Sequence, residues 1–276
     1  MAEVSCDTVT SNEKLQIDSQ NVLHFMASNC LVANPEKTAF MVIPSNTKKH
    51  VPVSLQISSD TVEESESEKL LGMTLSNDLR WSTHVYGKGG LLSQLNRRLF
   101  TVRRLSRYIN RSHLKTIADS LWTSKIRYGL ALFGKIRLNE EDPKCKIGRD
   151  LQIAQNKLLR TLTGNSLKEK VPTKQMLDKL NMLSVNQMIA QARLLETWKA
   201  LNIQGSPLSE LFQVKQSQHL MTRSVQRGDL TEYGASETFQ NNACKLYNKA
   251  KASMCSAISY QQAKQQSKLF AKTLPL

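Results

Sequence analysis

The chain has 276 residues, of which 38 are Lys or Arg and 23 are Asp or Glu, a formal net charge of +15. With 40% hydrophobic and 22% charged residues it has a folded protein's composition, which excludes wholesale disorder, and its length suits one large domain or two modest ones. The longest apolar run, around Tyr128–Gly134, is about seven residues against the ~18 a membrane helix needs, and the N-terminus lacks a secretory pattern, so neither a membrane nor a secreted protein is expected.

Residues 13–28 carry Leu15, Val22, Phe25 and Met26, with Ile17 alongside, at helical spacing, and Asn29 begins the exit. After the turn Asn34-Pro35, residues 39–43 read as a buried strand, and 53–57 alternate apolar and polar as a second strand. The acidic stretch 61–68 reads as a solvated loop. Residues 70–75 give a third strand closed by Ser76-Asn77-Asp78.

Helical patterns dominate from Trp81. Leu92, Leu95, Leu99, Val102, Leu105 and Ile109 form one stripe, loosened at its start by Gly89-Gly90. Ser112 stands as an N-cap ahead of Leu114, Ile117, Leu121 and Tyr128. Residues 147–163 form a helix closed by Gly164. Thr173 is expected to cap a short helix to Leu180, and Ser184 a longer one through Trp198. The last helix expected spans 237–256. Trp81 and Trp198 read as core residues. The class is α+β, with about three short strands and a helix before a mainly helical bundle.

Five scattered cysteines, with no C-x-x-C and no matching histidine spacing, point to reduced thiols and away from a metal site. The charge is divided sharply. Residues 1–80 hold 6 basic and 11 acidic residues, and residues 81–276 hold 32 and 12. Such asymmetry suggests a nucleic-acid partner.

The densest basic stretch is 87–127, with ten Lys or Arg and the single acid Asp119. Arg97, Arg104 and Arg111 recur every seven residues. Leu95, Val102 and Ile109 recur two positions earlier, about 200° away on a helix. One face is therefore apolar and the other an arginine row, the arrangement a helix lying along phosphates requires. The alternative is a solvated face of a bundle helix. Enzyme motifs are thin: no G-x-S-x-G, phosphate-binding glycine loop or H-E-x-x-H occurs.

Several motifs, in order, resemble the reverse transcriptases of jockey-like non-LTR retrotransposons. Residues 25–41, with Asn29, Leu31, Asn34, Lys37, Thr38 and Met41, are similar to the N-G-L-x-x-N-x-x-K-T-x-x-M stretch that follows the family's catalytic aspartates. Lys69–Leu75 through Leu79, Trp81, Ser82 and His84 resembles its primer-grip hairpin and thumb entry. Lys125-Ile126-x-Tyr128-Gly129, then Leu151-Gln152-x-x-Gln155-Asn156-Lys157-x-x-Arg160 with Gly164, resembles thumb-side signatures. Tyr247-Asn248 and Phe270-Ala271-Lys272 are similar to a W-N and an F-K near the family's C-terminus.

The resemblance implies a partial palm with primer-grip hairpin over residues 1–80 and a helical thumb with C-terminal region over 81–276. It implies a truncated RNA-directed DNA polymerase that grips template and primer. Asp7 would be the remnant of the aspartate box, with Cys6 replacing the first aspartate, and Lys37 would sit near the incoming triphosphate. An ordinary turn lysine is the other reading of Lys37. Leu71 and Gly72 would form the primer-grip turn, or else Gly72 is a strand glycine at a bulge. Arg97, Arg98, Arg104, Arg107, Arg111 and Lys115 would contact nucleic acid, an RNA–DNA hybrid or another. Without the fingers and most of the palm, no metal site is complete and no cofactor is expected in isolation; magnesium belongs to a full-length relative. Cys30 stands where the family has glycine. The same features would also suit a non-catalytic nucleic-acid-binding protein derived from such an element, or an inert helical remnant.

Overall fold

A computed structural model describes residues 8–44, 52–57, 60–143, 145–216, 223–226, 228–232 and 238–276. Among the described residues the fold is mixed α+β and mainly helical, with two small antiparallel sheets of two strands each. It divides into two units, residues 1–90 and 91–276.

The first unit opens with helix α1 (Thr8–Ser28). Strands β1 (Ser54–Ile57) and β2 (Asp60–Glu63) form one hairpin, and β3 (Ser67–Leu70) and β4 (Met73–Ser76) the other. The acidic segment expected to be a loop thus supplies most of β2 and half of β3. Its carboxylates are compatible with strands because one face of each hairpin is solvated. The strand expected over 39–43 is reduced to one bridge between Phe40 and Glu64. The strand expected over 70–75 is folded back on itself at Leu71-Gly72. Leu55 and Ile57 on β1 and Met73 on β4 are buried. Gln16 of α1 binds β1 at Gln56, donating to its carbonyl at 2.8 Å and accepting from its N–H at 2.9 Å. This satisfies part of a strand edge that would otherwise be open.

The apolar stripe expected on α1 is not buried: Ile17, Val22 and Phe25 are exposed, the last at 67%. Two short hairpins present too little surface to cover it. Helix α2 (Ser82–Tyr86) stays with this unit, because His84 Nδ1 accepts from the Thr74 N–H at 3.2 Å. The division therefore falls after Gly90 and not at Trp81. Trp81 is half-buried and edge-on to His84.

The second unit comprises α3 (Leu91–Leu105), α4 (Arg111–Ala118), α5 (Ser124–Arg127), α6 (Leu130–Phe133), α7 (Lys146–Thr163), α8 (Thr173–Leu180), α9 (Val185–Asn202), α10 (Arg223–Gln226), α11 (Phe239–Cys255) and α12 (Tyr260–Ala271). A π-turn, Asp119–Thr123, joins α4 to α5. Asn110, not Ser112, caps α4, accepting from the His113 N–H at 3.0 Å. Thr173 is the first residue of α8, after Pro172, and caps nothing.

Helix α9 is the axis of the unit. Its capping box is complete: Ser184 accepts from the Gln187 N–H, and the Gln187 side chain accepts from the Ser184 N–H. Nearly all of α9 is buried, Trp198 included, so its buried amides need partners. Asn186 donates to the carbonyls of Arg137 and Pro275, Gln187 to Leu274, and Gln191 to Lys264 on α12. Arg193 is 3% exposed and donates to the carbonyls of Ala131 and Gly134; burial pulls its guanidinium down to about 10.

Helix α12 had no apolar stripe to announce it. Its buried positions are Ala263, Ser267 and Ala271, small residues four apart that admit a close approach to α9.

Candidate nucleic-acid interface

Helix α3 buries Leu91, Leu95, Leu99 and Val102. This fixes the opposite face, on which Arg97 and Arg104 are exposed, with exposed Arg103 flanking the apolar stripe and exposed Arg107 in the turn that follows. None of these four makes an ion pair among the described residues. A row of guanidiniums without acids is a ready-made surface for phosphates.

The row is shorter than its spacing predicts. Helix α3 ends at Leu105, so Arg111 does not continue it but opens α4. The Arg111 guanidinium donates to the Thr163 carbonyl at the end of α7, beside Gly164 in the left-handed conformation (φ 76°). There it satisfies a terminal carbonyl and complements the negative end of the helix dipole. Arg98 likewise turns inward and donates to the Leu121 carbonyl. Lys115 pairs with Asp119 at 3.3 Å. Of the six basic residues expected at the interface, Arg97, Arg104 and Arg107 stand free on the surface, while Arg98, Arg111 and Lys115 tie the helical unit together. Arg103 joins the exposed set; the seven-residue repeat passed over it.

Leu71 and Gly72 form a two-residue hairpin turn with both φ positive (49° and 81°). Leu71 is 82% exposed at its tip. Lys37 is exposed on a short 3-10 turn. Asp7 lies outside the described residues, as does Cys6. Among the described residues no group of three or more His, Cys, Asp or Glu is placed to hold a metal.

The segments that carry the thumb-side resemblance have structural work. Gln155 is fully buried and donates to the Leu183 carbonyl at 2.7 Å, while Gln152 accepts from the Val185 N–H at 2.9 Å. Together they set the entry to α9. Asn248 pairs with the Leu230 backbone in both directions, at 2.7 and 3.0 Å. Cys30 sits at φ 57°, with the Leu31 N–H on the Met26 carbonyl at 2.9 Å and its own N–H on Ala27 at 3.0 Å, the pattern that closes a helix and favours glycine.

No family model, curated protein or solved structure matches the chain. Among the described residues no helix is long and apolar enough to cross a membrane.

Proposed function

We propose that the chain is the C-terminal part of a jockey-like reverse transcriptase that grips an RNA–DNA hybrid through α3 and holds no complete two-metal site of its own. The observation that carries this reading is the exposed set Arg97 and Arg104, opposite the buried face of α3, with Arg103 on its flank and Arg107 after its end, none of them paired with an acid among the described residues. The exposed apolar side chains Ile17, Val22 and Phe25 of α1 support it too, as an apolar patch of the kind that marks an interaction surface. The reading places the protein inside the cell, in nucleus or cytoplasm, with nucleic acid as partner. Contacts of this kind rest on phosphates and show little base preference.

The test is binding of the purified chain to an RNA–DNA hybrid, duplex DNA and duplex RNA across a salt series, beside the triple variant Arg97→Ala, Arg104→Ala, Arg107→Ala. Each lost phosphate contact lowers the log–log salt slope by ~0.9 on a B-form duplex. The expected result is a steep slope in the wild type, reduced by about two to three in the variant. Weak binding indifferent to those arginines would leave only a solvated helix face. With magnesium and deoxynucleotides the chain alone is expected to incorporate nothing, and incorporation would overturn the catalytic half of the reading.

A further inference from the structure

A second basic cluster lies away from the α3 row, where the π-turn after α4 meets the start of α9 and the last helix. Lys115 of α4, Arg127 of α5 and Lys268 of α12 line a cleft of about 360 Å³. Asp119 is the one acid among its described lining residues. Lys115 is the cation that Asp119 neutralises directly, at 3.3 Å. Arg127 donates to the neutral Gln191 Oε1 at 3.2 Å. Lys268 and its neighbour Lys272 both rest on Asn181, at 3.5 Å from its carbonyl and 3.0 Å from its Oδ1. Among the described residues four cations are thus held together against one carboxylate, and three of them hydrogen-bond to neutral oxygens.

The cluster repels itself. Loss of solvent lowers the Lys268 pKa, and Lys272, Lys115 and Arg127 lower it further, with Asp119 alone opposing them. Loss of solvent also lowers the Arg127 pKa, against the pull of Asp119 and Tyr260. A bound anion would relieve both. The floor of the cleft is apolar, formed by Met182, Leu183 and Met188, while Thr123 and Ser124 add hydroxyls at its wall. A π-turn inside a helix commonly marks a functional position, and here it carries Asp119 and Thr123.

We propose that this cleft binds a small phosphate-bearing ligand, its phosphate held by Arg127 and Lys268 with help from Lys115. Arg127 supplies planar paired donors, and the lysines supply compact charge. A cleft of this volume and mixed lining suits a phosphomonoester better than a bare ion. The proposal does not depend on the α3 surface, and its test uses no nucleic acid at first.

The probes are inorganic phosphate and a deoxynucleoside 5′-monophosphate, titrated calorimetrically into the full chain at fixed ionic strength, with chloride as control. Saturable binding of the monophosphate is expected, with inorganic phosphate weaker at the same site. Lys268→Gln, at a half-exposed position, is expected to weaken it about tenfold. Asp119→Asn removes the opposing charge and is expected to tighten it severalfold, an effect opposite to that of simple structural damage. No saturable binding of either probe by the wild type would overturn the proposal, as would binding indifferent to both substitutions. A third arm measures the RNA–DNA hybrid. If Lys268→Gln weakens hybrid binding as much as the α3 triple variant does, and the monophosphate fails to bind, the cleft belongs to a duplex surface and the small-ligand site is refuted.

Discussion

Arg97 and Arg111 look alike in the sequence, two steps of one seven-residue spacing, yet the fold gives them different work. The difference arises because α3 stops at Leu105, which turns Arg111 onto the end of α7. Arg111→Ala is therefore expected to lower stability by about 1.5–3 kcal/mol, the range for a hydrogen bond from a charged group, and to leave the salt slope for nucleic acid unchanged. Gly164→Ala should be comparably destabilising, since a Cβ there would meet the Arg111 guanidinium and the residue has a positive φ. Chemical denaturation paired with the salt series separates the two kinds of arginine. A change of slope in Arg111→Ala would return that residue to the binding surface.

Cys244 carries a prediction of another kind. It is fully buried, and burial, reinforced by Glu232 against the pull of Lys215, pushes its thiol up to about 11 from 9.0. Above pH 9 the unfolded chain ionises this thiol while the folded chain keeps it protonated. Stability from this group is therefore full below pH 9 and lost as pH rises through 11, by about 3 kcal/mol at most. Tyr247, raised by burial and by Cys255, acts in the same direction at higher pH. The expected outcome is a decline in unfolding free energy between pH 9 and 11 that Cys244→Ala flattens. The same decline in the variant would assign it elsewhere.

At the scale of elements, what the sequence disclosed depended on which forces each element uses. Helix α7 announced itself through Leu151, Ala154, Leu158 and Leu162 and through its closing glycine, and α9 through the Ser184 cap. Helix α12 was invisible because its contact face is made of small residues, which no apolar period reveals. The hairpins were misread because their charged positions face water, while β1 buries only Leu55 and Ile57. Leu71 and Cys30 are costly choices in the first unit, L-residues held at positive φ as Leu79 is. Leu71→Asn suits a two-residue hairpin turn, and Cys30→Gly suits a helix-closing position. Each is expected to raise stability by about 1 kcal/mol, measured by denaturant unfolding. Leu71→Asn also asks whether the exposed turn has a role. A loss of hybrid affinity alongside the stability gain would mean that the leucine is kept for contact with a ligand, as the primer-grip resemblance implies.

Across the whole molecule the two units differ in what holds them. Among the described residues of 1–90 the buried apolar side chains are Leu55, Ile57, Met73 and Val85, in a unit whose hairpins are marginal by themselves. Residues 91–276 close around α9, whose buried amides fasten it to the segment 274–275 and to α12. That polar network was not legible in the sequence, since Asn186, Gln187 and Gln191 read as surface residues until the burial of α9 is known. Local opening should therefore be cheap in the first unit and approach the global limit along α9. In native-state hydrogen exchange the amides of β1–β4 are expected to open at far lower free energy than those of α9; equal protection would mean that the chain unfolds as one cooperative body. The arginine row belongs to the second unit. In urea concentrations that abolish protection in the hairpins and spare α9, the salt slope for an RNA–DNA hybrid should persist. Its disappearance together with hairpin protection would show that the gripping surface needs the first unit, and that α3 alone does not account for binding.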